Sequence, residues 1–227
     1  MRPDWWVGSL ARFGESLLAD DDPRPVIAVP ELLLPETLDR LLLRVYGPEL
    51  MPSQLPVLVS QWSKYYFMQL IPPVLVGGLL SDWRWPLALE QVSLALDERG
   101  LPAGVWLGAG RACHLESPEP FAELLDDNLQ PFIAALAAYG GVASSVLWGN
   151  AGDYLETCLQ QLRPLTDKPL DDGYALLNTK QRANGRPNPL FKAVRYVGKP
   201  PRRQRRSCCL SYQVEWVGRC EHCPLSV

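Results

Sequence analysis

The chain has 227 residues, of which 47% are hydrophobic and 21% charged, and its formal net charge is −3. This is the composition of a globular protein with a sizeable core, in one large or two small domains. The mild acidity gives no general reason to expect nucleic acid, and the opening Met1-Arg2-Pro3-Asp4-Trp5-Trp6 lacks the apolar run of a signal peptide.

Trp6, Leu10, Phe13 and Leu17 recur at helical spacing. An acidic loop, Asp20-Asp21-Asp22-Pro23-Arg24-Pro25, follows. Pro35 then opens a predicted helix with Leu38, Leu41, Leu42 and Val45 on one face. A third helix is expected from Pro56 to Leu70, ending before Pro72. The apolar run Met68 to Leu80 contains Pro72-Pro73 and Gly77-Gly78 and is too short to span a bilayer.

Gln91 to Asp97 and Gly104 to Leu107 alternate as strands of a small antiparallel meander, to which Arg111 to Leu115 could add a third. Helical periodicity returns from Phe121 to Leu136 and stops at Gly140-Gly141. Another helix carries Tyr154, Leu155, Cys158, Leu159 and Leu162 on one face and ends before Pro164. From Thr179 to Pro189 the apolar pattern lapses, as in a loop or linker. The expected fold class is therefore α+β: a mainly helical body over 1–186, with a small antiparallel sheet, and a short C-terminal module over 187–227.

Four of the six cysteines lie in that module, as Cys208-Cys209 and Cys220-Glu221-His222-Cys223. In a reducing compartment such a group reads as a metal site before it reads as disulfides. Cys220-x-x-Cys223 serves zinc and iron–sulfur clusters equally well. Adjacent residues of an extended chain point to opposite sides, so Cys208 and Cys209 converge only if the backbone bends. A two-iron cluster eases that demand, but on spacing alone zinc, a cluster and disulfides all stay open. His222, inside the second knuckle, is a conceivable ligand or a solvent-facing histidine. Cys158 reads as a core thiol and Cys113 similarly, with His114 beside it as a surface or core histidine. Lys192, Arg195, Lys199, Arg202, Arg203, Arg205 and Arg206 form a basic stretch without an acid, either a steering field or a solvated face. No glycine-rich dinucleotide fingerprint is present, so no NAD(P)H or flavin site is expected.

The C-terminal Cys-Cys, ten residues, Cys-x-x-Cys resembles the signature of the FhuF-type ferric-siderophore reductases. Arg205-Arg206-Ser207-Cys208-Cys209 is similar to the entry of that motif. Gln61-Trp62 with Leu70-Ile71-Pro72-Pro73, Leu147-Trp148-Gly149-Asn150 and Asn188-Pro189-Leu190 resemble further family segments in the same order, over about residues 55–227. The resemblance implies a [2Fe-2S] cluster on Cys208, Cys209, Cys220 and Cys223. It also implies a cytoplasmic oxidoreductase that passes one electron to a ferric siderophore and releases Fe2+. The electron would come from an external ferredoxin or reductase. No nucleic acid and no transmembrane segment are implied, and a peripheral contact with the inner membrane is compatible with it. Trp148, Asn150, Arg202, Arg203, Arg205 and Arg206 become candidates for substrate or donor docking, and the helical body resembles part of the siderophore synthetases. Two rivals remain: a zinc module whose basic segment binds nucleic acid or a partner protein, and a siderophore-binding accessory protein whose cluster senses redox state or iron.

Overall fold

The computed structural model describes residues 6–109, 111–112, 119–215 and 217–226. Where periodicity predicts a first helix, the chain makes a 3-10 turn over Gly8–Gly14 that buries Phe13. Strand β1 (Val26–Ala28) and a single helical turn, α1 (Val29–Leu32), lead into α2 (Pro35–Tyr46). As predicted, α2 opens at Pro35 and buries Leu38, Leu41 and Leu42.

Helix α3 (Met51–Ser81) is 31 residues long and forms the axis of the core. It does not stop at Pro72; it runs through Pro56, Pro72 and Pro73. A proline inside a helix withholds the N–H that the carbonyl four residues earlier needs, and interior prolines cost about 3 kcal/mol or more. For Pro73 that carbonyl belongs to Gln69, and the Ser16 hydroxyl donates to it at 2.7 Å. Burial offsets the rest: Phe67, Leu70, Ile71, Leu75 and Val76 have no solvent exposure. Most of the helix surface is apolar because most of it is covered, with Met68 left exposed. Among the described residues no helix is long and apolar enough to cross a membrane.

Beyond α3 come β2 (Trp83–Arg84), β3 (Val92–Leu96), β4 (Pro102–Leu107) and β5 (Arg111–Ala112). The expected meander is present as an antiparallel sheet in the order β1-β3-β4, with Val26 opposite Ala95 and Leu94 opposite Val105. Strand β5 leaves it and pairs with β2 instead. The remainder of the predicted third strand, with Cys113 and His114, lies outside the described residues, as does Trp5.

The helix expected from Phe121 divides into a π-turn (Leu124–Leu129) and α4 (Gln130–Gly140), closed by Gly141 in the left-handed region. The π-turn holds Asn128 fully buried, where it accepts from the Tyr66 hydroxyl at 2.7 Å and donates to Leu87 O at 2.9 Å. Helix α5 (Ser144–Leu162) begins a full ten residues before Tyr154, because Leu147, Trp148 and Ala151 continue its buried face. Helix α6 (Asp171–Asn178) follows. The hairpin of β6 (Val194–Val197) and β7 (Arg202–Arg205) leads into the cysteines. This hairpin is not legible in the sequence, because β7 reads Arg-Arg-Gln-Arg and lacks the apolar alternation of a strand.

Candidate iron–sulfur site

The backbone bends where the Cys208-Cys209 pair requires it. Leu210 adopts φ 65, a left-handed conformation that a non-glycine residue takes only at some cost. The turn brings the Leu210 N–H to Cys208 Sγ at 3.3 Å, and the Ser211 hydroxyl lies 3.4 Å from Cys209 Sγ. The second knuckle is built alike. The Cys223 N–H closes a turn onto Cys220 O at 3.1 Å, and the Leu225 N–H points at Cys223 Sγ at 3.4 Å. Each knuckle thus aims a backbone donor at sulfur.

The two knuckles meet. The Cys220 thiol beside Cys209 holds Cys209 well below the usual thiol range, and the same neighbour pushes Cys220 up. Cys208 is pushed up, first by burial, and feels both Cys209 and Cys223. All four are free thiols, with Cys209 and Cys223 buried and Cys208 and Cys220 half-buried. Among the described residues no three His, Cys, Asp or Glu side chains are grouped to hold a single ion.

Two helices of the body hold the module. From α3, the Ser60 hydroxyl and the Gln61 amide both donate to Cys209 O, at 2.9 and 2.7 Å. From α5, Asn150 donates to Ser60 O at 2.8 Å and accepts from the Arg205 guanidinium. Arg205 is 1% exposed, its N–H donates to His222 O at 2.9 Å, and its charge favours the thiolates of Cys208 and Cys220. Its Nε is buried with no protein partner. An orphaned cationic donor beside converging thiols fits an anionic group seated at this site, and a tetrathiolate cluster is such a group. Arg203 lies 2.7 Å from Asp153 Oδ1, binds Glu156, and donates to Asp153 O at 2.9 Å. It also meets His222 Nδ1. A guanidinium can only donate, so that histidine nitrogen accepts and is occupied.

Close approach of the module depends on two glycines of α5. A Cβ on Gly149 would collide with Ser207 Oγ, and one on Gly152 with Ala193 Cβ.

Of the predicted docking residues, Asn150 is fully buried beneath the module and Trp148 is 6% exposed in the core. Arg203 and Arg205 are engaged with α5, while Arg202 and Arg206 are exposed. Cys158 is core, and burial pushes its thiol up to about 12. Sequence reasoning missed Ser60, Lys64, Asp153 and Glu156. One signal was available: Asn150, Asp153 and Glu156, spaced three apart, put a polar stripe on an otherwise apolar helix.

Helical body, small sheet and four converging thiols together make an α+β protein with a C-terminal site for a metal or cluster. Residues 60–203 match the family model described as "Ferric iron reductase FhuF-like transporter", and 205–225 match "FhuF 2Fe-2S C-terminal domain". The chain belongs to this FhuF-like family. It is 27% identical over 173 residues to the ferric siderophore reductase of Escherichia coli K12, covering 74% of this chain and 65% of that relative. The match therefore spans slightly less than two thirds of the relative. Among solved structures, the aerobactin synthetases IucA (ATP-bound) and IucC from a hypervirulent pathotype of Klebsiella pneumoniae share the fold. Their TM-scores are 0.53 and 0.55, at 13% and 15% identity, over 76% and 77% of this chain and 38% and 37% of theirs.

Proposed function

We propose that the protein is a cytoplasmic ferric-siderophore reductase that transfers one electron to Fe(III) in a siderophore complex and so releases Fe2+. Cys208, Cys209, Cys220 and Cys223 would hold a [2Fe-2S] cluster, which supplies a one-electron carrier. The single observation that carries this reading is the pair of facing cysteine knuckles, each with a backbone N–H aimed at sulfur, docked on a buried cation.

The residues of the chain do the rest. Siderophores bind Fe3+ through hard oxygen donors, and Fe2+, with less charge, is held far less tightly. No general acid, nucleophile or hydride carrier is needed at the iron. What is needed is a surface where the ferric complex can approach the thiolates. Half-buried Cys208 and Cys220 give that access. Arg202 and Arg206, a few residues before Cys208, are exposed and suit an anionic complex or the acidic face of an external ferredoxin or reductase. Asn150 contributes from beneath by fixing Arg205 and Ser60, and Trp148 by packing the same helix.

The test is anaerobic purification with iron, acid-labile sulfide and zinc measured on the same sample. The expected result is a red-brown protein with two irons and two sulfides. Reduced protein mixed with ferric hydroxamates, catecholates and carboxylates should be reoxidised by at least one class, with Fe2+ caught by a ferrous chelator. Stoichiometric zinc without iron would overturn the cluster. A loaded cluster that stays reduced beside every complex would overturn the reductase.

A further inference from the structure

The cations around the cysteines are not equivalent. Arg203 meets Asp153 and Glu156, and Arg205 meets Asp153 at 3.5 Å, so both arrive with their charge offset. Arg202 and Arg206 are exposed, where water and salt screen them. Lys64 differs from all four. It is half-buried on α3, and its ammonium donates to Gln61 Oε1 at 2.7 Å. No carboxylate of the described residues forms an ion pair with it. The same Gln61 side chain turns its Nε2 to Cys209 O at 2.7 Å. One glutamine thus ties an un-neutralised ammonium to the backbone of a thiolate residue.

We infer that Lys64, held by Gln61, is a positioning residue for the electron: its charge raises the reduction potential of the cluster on Cys208, Cys209, Cys220 and Cys223. The inference rests on the cluster reading above. Reduction adds one negative charge to the site, so a nearby cation stabilises the reduced form more than the oxidised one. Half-burial lowers the effective dielectric and weakens screening, which makes one fixed ammonium count for more than several exposed guanidinium groups. Gln61 adds no charge; it sets where the charge sits. Lys64 thereby favours acceptance of the electron from the donor.

The experiment is a mediated redox titration of the full chain, purified anaerobically, with iron and sulfide counted for each variant. Lys64→Gln keeps a polar group in reach of Gln61 and should retain the full complement of iron. Its oxidised-to-reduced ratio at fixed poise should rise at least threefold, about 28 mV at 59 mV per tenfold for one electron. Lys64→Arg should recover most of that shift, and the difference should persist from 0.1 to 0.5 M salt. Equal potentials in wild type and Lys64→Gln overturn the inference. So does loss of iron from Lys64→Gln, which would mark a structural role. Protein that holds no iron or sulfide at all fails the cluster reading instead, so the two failures are distinguishable.

Discussion

Arg203→Gln probes how the module is fastened to the body. The Arg203 side chain is 9% exposed, and its carboxylate partners Glu156 and Asp153 are 9% and 17% exposed. Besides these pairs it donates to Thr157 Oγ1 at 3.0 Å. The variant removes the cation that both of these mostly buried carboxylates pair with. Asp153 keeps Arg205 at 3.5 Å and His222 Nδ1 at 3.9 Å, and Glu156 keeps the Tyr196 hydroxyl. Breaking a buried pair by removing one partner costs about 3–5 kcal/mol. At about 2–4 °C per kcal/mol for a chain of this size, the melting temperature should fall by about 10 °C. Arg202→Gln, at an exposed position, should stay within about 0.5 kcal/mol of wild type. The double variant Arg203→Gln/Glu156→Gln should be less damaged than the sum of the singles, since it removes one of the stranded charges. Urea and thermal unfolding followed by tryptophan fluorescence measure the body, and visible absorbance of loaded protein measures the module. A melting temperature for Arg203→Gln within 1 °C of wild type, by both signals, would refute the claim that these pairs hold the module.

Serine replacement of any one of Cys208, Cys209, Cys220 or Cys223 should destroy or destabilise the cluster, while Cys158→Ser should leave iron content unchanged and lower stability only; iron and sulfide analysis checks both. Ser16→Ala removes the donor to Gln69 O and should cost about 1–3 kcal/mol in urea unfolding, the penalty of a buried carbonyl left unpaired. Gly149→Ala should displace Ser207 and the segment leading into the first cysteines, so iron occupancy should fall while far-ultraviolet circular dichroism of the helical body is kept.

Much of this protein was legible in its sequence. The four thiols are local in sequence, and their residue types already narrow the chemistry to zinc, a cluster or disulfides, with a metal read before disulfides. The α2 helix, the β3–β4 hairpin and the Gly140-Gly141 stop follow from local periodicity and turn chemistry, which act over a few residues. What needed the tertiary structure is every feature that depends on a distant partner. Pro72-Pro73 reads as a helix end, and it is not one, because Ser16 and an enclosing core compensate from elsewhere. The basic stretch reads as one uniform charged face. Folding divides it, with Arg203 and Arg205 drawn onto the Asn150–Asp153–Glu156 stripe and Arg202 and Arg206 left in solvent. Lys64 lies more than a hundred residues from the cysteines, so no spacing rule could connect them. Sequence specifies which groups are available; the low-dielectric contact between α3, α5 and the C-terminal turns decides which charges are offset, which are screened and which act on the sulfurs.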